Sequence, residues 1–527
     1  MSREAVAAAL AARSTPFDVV VIGGGANGAG IAFDCASRGY TVALVERAEF
    51  ASGTSSRSSK LVHGGLRYLA LGQWGLVREA LAERARLLAN APAIVSPLGF
   101  LVPLYGRFDA LRFPLGLWLY DRLAGNTRLA RSRRLDRGAA LARAPTLARA
   151  GLRGAASYMD AGFDDARLVQ ALLARARALG ALTLNHAEAV GFTRTAGGRI
   201  DGVAVGDRES GTELTLPARA VINAAGPWGD RVRTLDGQSD AAGLTPSQGT
   251  HVVVPAHFLG GDDALVFPHT PDGRIMFAIP WQGQALLGTT DVPAVVGADN
   301  PLPQDTEIDD ILAVAATYLE TAPTRADVLS TFAGLRPLAG APDGAATARR
   351  SREHRLDVAH DGLVSVSGGK WTTYRLIAEQ AVDLAAEVAG LPRRAARTAT
   401  LPIAPQRDDT PVAFRAYGDD AGAVAAIAAA DPALAAPLDA RVPGCGADYV
   451  WAARAALAVH VDDALAWHTR ALFVDAAAAH AIAPRVAALM AAELGRDAAW
   501  VDAETARARA CAERFALTPI RARETPG

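Results

Sequence analysis

The chain has 527 residues, 50% of them hydrophobic and 21% charged, with a formal net charge of −1. This length predicts two or three domains with ample core, and the balanced charge gives no reason to expect a nucleic-acid-binding protein. Cys35, Cys445 and Cys511 are too widely spaced for a disulfide framework or a metal motif, which favours a reducing compartment. The sequence begins without the pattern of a secretory signal, and no run approaches about 18 uncharged apolar residues, so we predict no membrane-spanning helix.

The first element is an apolar strand that runs from Phe17 into the turn Gly23-x-Gly25-x-x-Gly28. A helix over Ala29–Ser37 and a second strand, Thr41–Val45, follow, and Glu46 ends that strand. The glycines permit a tight turn, close approach of a pyrophosphate and close helix–strand packing, while the helix N-terminus attracts phosphate. An acid at the end of the second strand accepts hydrogen bonds from a ribose. This combination predicts a dinucleotide site, with a glycine-rich turn in another α/β unit as the alternative.

Lysine occurs only twice, at Lys60 and Lys370, although lysine and arginine together total 54. A codon bias toward arginine explains the scarcity. Under that bias, a position that keeps lysine points to a need for a compact ammonium group. Both lysines lie in Gly/Ser/Thr-rich segments that we interpret as ligand-binding loops.

The segment from Ser52 to Leu69 is rich in hydroxyls and glycine and contains the string Ser58-Ser59-Lys60-x-x-His63-Gly64-Gly65-x-Arg67-Tyr68-Leu69. Together with the preceding glycine turn, this string resembles the FAD-dependent glycerol-3-phosphate dehydrogenases of aerobic glycerol metabolism. The resemblance extends over about the first 380 residues and is looser beyond them. It implies a two-dinucleotide-binding-fold α/β flavoprotein with an antiparallel-sheet substrate domain and a C-terminal helical domain.

The segment Leu98–Arg134 holds seven arginines interleaved with aromatic residues, after a helix predicted over Trp74–Leu88. Arginine mixed with aromatic side chains is typical of an interfacial membrane contact. The alternative is a core helix over Leu115–Leu123 followed by a solvated basic loop.

Later elements alternate between the two expected domains. A helix is predicted over Asp160–Gly180, and the strand Ala220–Asn223 leads into a glycine turn that brings the chain back beside the cofactor. Antiparallel strands are predicted within Thr250–Asp291 and helices over Thr306–Leu319, 448–460, 476–494 and 498–516. We therefore predict a discontinuous FAD-binding domain (14–90, 155–240 and 350–400), a substrate-binding, membrane-facing domain (91–154 and 241–349) and a C-terminal helical domain (403–527).

A single glycine fingerprint does not distinguish NAD from FAD, and the segment Ser367–Arg375 supplies the distinction. A second glycine turn that opens a helix directs N–H groups toward the flavin N1/C2 edge, and Lys370 adds positive charge where reduction places negative charge. An exposed turn lysine is the alternative for Lys370.

The resemblance assigns the site residues by motif. For substrate it implies the arginines of HGGLRYL, FAGLRPL and SREH, whose planar guanidinium groups match phosphate. The substrate-binding candidates are Arg67, Tyr68, Thr289, Thr290, Arg336 and Arg352. For catalysis it implies Arg336, Lys370 and, as first candidate for the base, His251, with His63 second and a structural histidine as the alternative for each. The cofactor-binding candidates are Gly23, Gly25, Asn27, Gly28, Glu46, Thr54, Ser55, Ser58, Ser59, Lys60, His63, Gly64, Gly65, Gly226, Trp228, Gly368, Gly369, Lys370, Thr372 and Thr373.

The implied activity is oxidation of sn-glycerol 3-phosphate to dihydroxyacetone phosphate, by hydride transfer from C2 to flavin N5, with electrons passed to a quinone. The alternatives are an oxidase that uses oxygen, an amine or amino-acid oxidase of the same fold and, last, a non-catalytic FAD-binding protein. No metal is expected. We expect a cytoplasmic protein attached peripherally to the anionic surface of the inner membrane, possibly as a homodimer.

Overall fold

A parallel sheet forms the centre of the first half of the molecule. The structure is a computed structural model that describes residues 1–65, 69, 72–235, 243–297, 300–338, 354–406 and 410–520. The strands of the first sheet run in the order β17-β18-β10-β1-β2-β7, and the five from β18 to β7 are mutually parallel. These strands are β1 (Phe17–Ile22), β2 (Val42–Val45), β7 (Leu182–Leu184), β10 (Glu213–Asn223), β17 (Arg355–Val358) and β18 (Val364–Ser367), and β8 (Ala187–Arg194) and β9 (Ile200–Asp207) extend β10 as an antiparallel meander.

The second sheet is mainly antiparallel, and strands distant in the chain build it. Its order is β15-β11-β14-β13-β12-β4-β6-β3, with β16 paired to β11 and β5 paired to β6. Its strands are β3 (Leu61–Val62), β4 (Val95–Pro103), β5 (Arg133–Leu135), β6 (Ala155–Phe163), β11 (Thr245–Pro255), β12 (Ala264–Phe267), β13 (Met276–Trp281), β14 (Gln284–Gly288), β15 (Val292–Pro293) and β16 (Ser330–Leu338).

Helices cover the sheets and make up most of the C-terminal part. The helices are α1 (Arg3–Ala11), α2 (Ala26–Ser37), α3 (Trp74–Asn90), α4 (Asp109–Ala124), α5 (Arg137–Arg143), α6 (Asp165–Ala178), α7 (Gly229–Arg233), α8 (Asp305–Tyr318), α9 (Tyr374–Val388), α10 (Ala421–Ala430), α11 (Pro432–Ala435), α12 (Gly446–Ala455), α13 (Val461–Asp463), α14 (Ala471–Val474), α15 (Ala476–Leu494) and α16 (Ala498–Glu513). α2 lies against both α9 and α6 on the parallel sheet, and α15 packs on α16 and α12.

The expected fold class is confirmed: a parallel dinucleotide-type sheet, an antiparallel sheet and a C-terminal helical part. Two predicted helices had a wrong end. Asp160 lies in strand β6 and not in the helix predicted over Asp160–Gly180, and the helix predicted over 448–460 ends at Ala455. The side chain of Asp164 accepts a hydrogen bond from the Arg167 amide and so begins α6 at Asp165.

One helix within the described ranges, α15, is long and apolar enough to cross a bilayer, with a mean hydropathy of 1.2 over its most apolar stretch. Core helices of soluble proteins meet the same criterion, so this is weak evidence for a span. One side of α15, including Ile482, Val486 and Met490, is buried in the C-terminal core.

Candidate cofactor and substrate site

A cavity of about 600 Å³ opens where the parallel strands end. The residues that follow β1, β2, β10 and β18 all line it: Gly23, Glu46, Ala224 and Gly368. The carboxyl ends of parallel strands meet at one edge of a sheet, and this edge is where α/β proteins bind their ligands. The cavity continues along the antiparallel sheet to residues on β11, β13 and β16.

The N-terminus of α2 forms one wall. Gly23 has φ of +111°, and a Cβ atom on Gly28 would lie 1.8 Å from the Gly23 carbonyl oxygen, so both positions require glycine. The Ser55 hydroxyl accepts a hydrogen bond of 2.8 Å from the Ala26 amide, and Asn27 lines the cavity beside it. This geometry provides the tight turn, the close packing and the helix terminus that a pyrophosphate needs.

Glu46 lies on the wall at the end of β2. Its carboxylate accepts hydrogen bonds from the amides of Gly24 (2.7 Å) and Ala48 (3.0 Å). Burial raises the pKa of Glu46, and the two backbone hydrogen bonds oppose that shift. Each carboxylate oxygen can accept further bonds, so the group remains able to bind a ribose. Trp228 lines the same region with Arg47 stacked 4.8 Å from its ring.

The two loops predicted to surround the flavin do come together. The Trp371 indole donates a 2.8 Å hydrogen bond to the Ser55 carbonyl, and Thr372 Oγ1 lies 3.4 Å from both the amide and the carbonyl of His63. Gly368 and Gly369 have φ of +73° and +94°, and Lys370 follows them directly before the helical turn that leads into α9. Thr54, Ser59, Gly65 and Gly226 also line the cavity.

His251 lies at the end of the cavity formed by the antiparallel sheet. It is 2% exposed, its Nε2 lies 2.8 Å from Ser59 Oγ, and its ring stacks on Phe332 with centroids 5.0 Å apart. Burial lowers the pKa of His251 well below its usual value, and the positive charges of Lys60 and Arg336 lower it further. The imidazole is therefore neutral at neutral pH, as a proton acceptor must be.

Arg336 lies at the same end, on β16. Its guanidinium donates to Thr289 Oγ1 and the Thr290 carbonyl, both at 3.0 Å, and lies 3.3 Å from Asp291 Oδ1. A Cβ atom on Gly249 would lie 2.2 Å from Arg336 Nη2, so the glycine leaves the space that the guanidinium occupies. The turn Thr289–Asp291 thus fixes one cation at the cavity wall.

Four cofactor candidates, Gly28, Lys60, Gly64 and Thr373, do not line the cavity. The Lys60 ammonium is 1% exposed and is held by Asp165 Oδ2 and the Ser56 carbonyl, both at 2.7 Å. Burial lowers the pKa of Lys60 to about 7, although Asp165 opposes the shift. Its buried contacts give Lys60 a structural role. Gly28 packs against β1, and the Gly64 amide donates to the Tyr120 hydroxyl.

Thr373 is the fourth of these residues, and its hydroxyl bonds the Lys370 carbonyl at 3.4 Å. Ser58 does line the cavity, but its hydroxyl donates to Asp165 at 2.7 Å and is already used. Arg67, Tyr68 and Arg352 lie outside the described residues.

Sequence reasoning missed several residues that line the cavity. Arg57, from the same serine-rich loop, is held under Phe473 and Phe515, and burial lowers its pKa to about 9. Its place in a hydroxyl-rich loop was the same signal that singled out Lys60. Arg274 reaches the Thr289 carbonyl at 3.4 Å. Trp467 and Arg514 come from the C-terminal part, where no sequence motif indicated a contribution.

Comparison with known proteins identifies the architecture. Residues 18–384 match the family described as FAD dependent oxidoreductase, and residues 364–501 match the C-terminal domain of alpha-glycerophosphate oxidase. The chain belongs to this FAD-dependent oxidoreductase family. Glycerol-3-phosphate dehydrogenase, mitochondrial, of Homo sapiens is 36% identical over 520 residues, which cover 92% of this chain and 71% of that protein. The resemblance carried by the string from Ser58 to Leu69 is therefore confirmed.

Two solved flavoprotein structures are similar to the chain. The glycerol-3-phosphate dehydrogenase from Bacillus halodurans complexed with FAD superposes with a TM-score of 0.75 at 28% identity, covering 98% of both chains. L-alpha-glycerophosphate oxidase from Mycoplasma pneumoniae with FAD bound superposes with a TM-score of 0.57 at 17% identity, covering 73% of this chain and 97% of that one. The second likeness shows the fold alone.

FAD is the cofactor of this flavoprotein, as expected, and the cavity fits it. The α2 N-terminus offers amides to the pyrophosphate, Glu46 offers a carboxylate to the ribose, and Gly226 has φ of +57° with open space where a Cβ would lie. The loop Gly368–Lys370 opens a helical turn toward the cavity, and Phe100, Tyr158 and Phe277 give an apolar lining for a planar ring.

Proposed function

We propose that the protein oxidises sn-glycerol 3-phosphate to dihydroxyacetone phosphate and passes the electrons to a quinone. The observation that carries this proposal is the position of Arg336 and His251 on the wall of one cavity, both anchored to the paired strands β11 and β16. An arginine that binds phosphate and a neutral imidazole that accepts a proton are what this reaction requires from the protein. FAD, when bound, supplies the two-electron acceptor for the hydride that leaves C2.

Arg336 binds and orients the substrate in this proposal. Its guanidinium is 20% exposed and is fixed by the Thr289–Asp291 turn, so little conformational entropy is lost when a phosphate binds. Asp291 offsets part of its charge, and Arg274, on the same wall, adds a second cation. The phosphate does not react, and its binding energy positions the C2 alcohol.

His251 accepts the hydroxyl proton in this proposal. The ring is held by Ser59 and by stacking on Phe332, so its orientation is set before substrate arrives. Lys60 lies 5.1 Å from the face of the same Phe332 ring and is one of the two cations that keep His251 unprotonated. Lys370 stays a candidate for stabilising the negative charge of the reduced cofactor.

Helix α4 supports a membrane-bound acceptor. Phe108, Leu111, Leu115 and Trp118 recur at helical spacing and are 89%, 72%, 62% and 54% exposed. The opposite face, with Leu117, Tyr120 and Ala124, is buried, as the core-helix interpretation expects, and the exposed stripe supports the interfacial interpretation. Exposed arginines surround the outer stripe: Arg107, Arg112, Arg122, Arg128, Arg131, Arg133 and Arg134. An apolar stripe among cations suits peripheral attachment to an anionic membrane surface, where quinone is dissolved. We infer the cytoplasmic face of the inner membrane as its location and keep the homodimer as an expectation.

Anaerobic mixing of the yellow holoenzyme with substrate tests the proposal. Glycerol 3-phosphate should bleach the flavin absorbance, whereas glycerol and glycine at the same concentration should not. A short-chain quinone should restore the colour faster than air does. Faster return in air, with peroxide formed, would favour the oxidase, and bleaching by glycine would favour an amino-acid oxidase.

A further inference from the structure

A buried cluster of histidines and carboxylates joins the FAD-binding part to the C-terminal helices. Glu49 follows β2 and His186 follows β7, whereas Asp463 ends α13 and His468 lies just before α14. Their side chains are at most 8% exposed, and none of the four lines the cofactor cavity. The cluster is therefore separate from the site described above.

Three of these side chains converge on one point. His186 Nε2 lies 2.8 Å from Asp463 Oδ2 and 3.8 Å from Glu49 Oε2, and the three ligand atoms all lie within 4.8 Å of one another. Ligand atoms around a tetrahedral zinc ion, with bonds of about 2.0–2.2 Å, are separated by about 3.3 Å. The observed separations bracket that distance, so a small cation fits after minor side-chain movement.

A second observation points to a missing ligand. Glu49 Oε1 and His468 Nε2 are buried and have no hydrogen-bond partner among the described residues. They lie 3.5 Å from each other, and the other oxygen of the same Glu49 carboxylate faces His186. Buried polar atoms without a hydrogen bond cost free energy, so this pair favours a ligand that contacts both atoms.

The surroundings also carry an excess of negative charge. Glu209 and Glu504 bond His460 at 3.1 and 3.0 Å, next to the His186 ring. The neighbouring arginines are already paired, Arg3 with Asp207 and Arg507 with Asp462. A divalent cation would add two positive charges to this group of buried carboxylates.

Groups around the three convergent side chains orient them as metal ligands are oriented. His186 Nδ1 faces Glu209 Oε1 at 3.8 Å, so a small movement would form the carboxylate–histidine hydrogen bond that orients a ligating imidazole. Asn185 Nδ2 donates to Glu49 Oε2 at 2.6 Å, and the His460 amide donates to Asp463 Oδ2 at 3.2 Å.

We propose that Glu49, His186 and Asp463 bind a divalent metal ion, zinc by their mixed imidazole and carboxylate chemistry, with His468 as a further ligand. The ion pins the C-terminal helices onto the FAD-binding sheet. Its role is structural, because its ligands lie off the cavity wall.

Metal content and thermal stability test this site without relying on turnover. Untagged holoenzyme from zinc-supplemented cells should contain about one zinc per chain by mass spectrometry. Treatment with dipicolinate should remove the zinc and lower the unfolding temperature, and added zinc chloride should restore it. Native protein that holds no zinc after dialysis against zinc chloride, or whose unfolding temperature ignores the chelator, would show that the cluster is an ion-pair network only.

Variants locate the metal. His186→Gln and Asp463→Asn should lose the zinc, whereas Glu209→Gln should weaken its affinity about tenfold, as loss of an orienting partner does. His360→Gln, which removes an exposed histidine elsewhere, is the matched control and should keep full zinc content. Full zinc retained by folded, yellow His186→Gln protein would overturn the assignment; if that variant does not fold, the chelator result on the native chain decides.

Discussion

Ser59 Oγ lies 2.8 Å from His251 Nε2, and the other ring nitrogen, Nδ1, has no hydrogen-bond partner in the part of the chain that the structure describes. One nitrogen thus fixes the ring while the other is left unpaired beside the cavity. The His251 ring is unprotonated at neutral pH, because burial and the charges of Lys60 and Arg336 lower its pKa. The ring takes up a proton in the folded protein only below its ordinary pKa of about 6.5.

The pH profile should show this shift. If His251 is the base, kcat/KM should stay level as pH falls to about 6.5 and decline only below it. His251→Gln should reduce kcat by about 10²–10⁴-fold, whereas Ser59→Ala, which removes one hydrogen bond, should cost only about fivefold. Flavin content should stay unchanged in His251→Gln. Normal kcat in His251→Gln would exclude it as the base.

Arg336→Ala should lower kcat/KM for glycerol 3-phosphate by about ten- to a hundredfold or more, because a charge-assisted contact of about 1.5–3 kcal/mol is lost. Arg336→Lys should also fall short, since an ammonium group cannot form a bidentate contact with phosphate. The poor oxidation of unphosphorylated glycerol should change much less. Equal losses on both substrates would mean that Arg336 acts on the alcohol or the flavin.

Asp165 offers a stability prediction that is independent of the reaction. Its buried carboxylate contacts the Lys60 ammonium at 2.7 Å and the Arg470 guanidinium at 3.3 Å, so Asp165→Asn leaves two buried cations without their anion. We expect a loss of about 3–5 kcal/mol in the free energy of unfolding, measured by urea denaturation of the holoenzyme. Asp164→Asn is the control: its side chain is 18% exposed and lies 3.9 Å from Arg470, and asparagine also caps a helix, so the loss should stay below about 1 kcal/mol.

Lys60 gives the free energy of unfolding a pH dependence of defined sign. The Lys60 pKa falls to about 7 in the folded protein, below its unfolded value of about 10.4, so the unfolded chain binds more protons between these values. Lys60 therefore makes stability rise with pH across that window. A slope that stays unchanged in Lys60→Met would contradict the assignment.

The cofactor-binding edge was predictable from the sequence because local rules determine it. Gly23, Gly28 and Glu46 occupy the predicted places, since a tight turn and a strand end depend on a few adjacent residues. The helix Ala476–Leu494 matches its prediction for the same reason.

Long-range pairing was not predictable in the same way. Lys60 looks like a ligand in its Ser/Gly-rich loop, and only the position of Asp165, more than a hundred residues away, turns it into a buried structural cation. β4 and β6 were missed because their pairing partners lie far along the chain. Trp467 and Arg514 reach the cavity only because the C-terminal helices pack against it.

Helix α4 gives the last prediction. Replacement of Leu111 or Leu115 by serine removes exposed apolar surface, and transfer of such a side chain contributes about 1.5–3 kcal/mol when it is fully buried. With partial insertion, we expect each change to reduce binding to anionic vesicles by about fivefold. Arg112→Glu should weaken binding further at low salt, by about 1 kcal/mol for each charge, and high salt should erase its effect.

Leu179→Ser, at a 46% exposed leucine beyond the end of α6, is the matched control and should bind as the unmodified protein does. Turnover with a water-soluble acceptor should be unchanged in all four variants, whereas turnover with quinone in vesicles should follow binding. Vesicle binding that is indifferent to Leu111 and Leu115 would place the membrane contact elsewhere on the molecule.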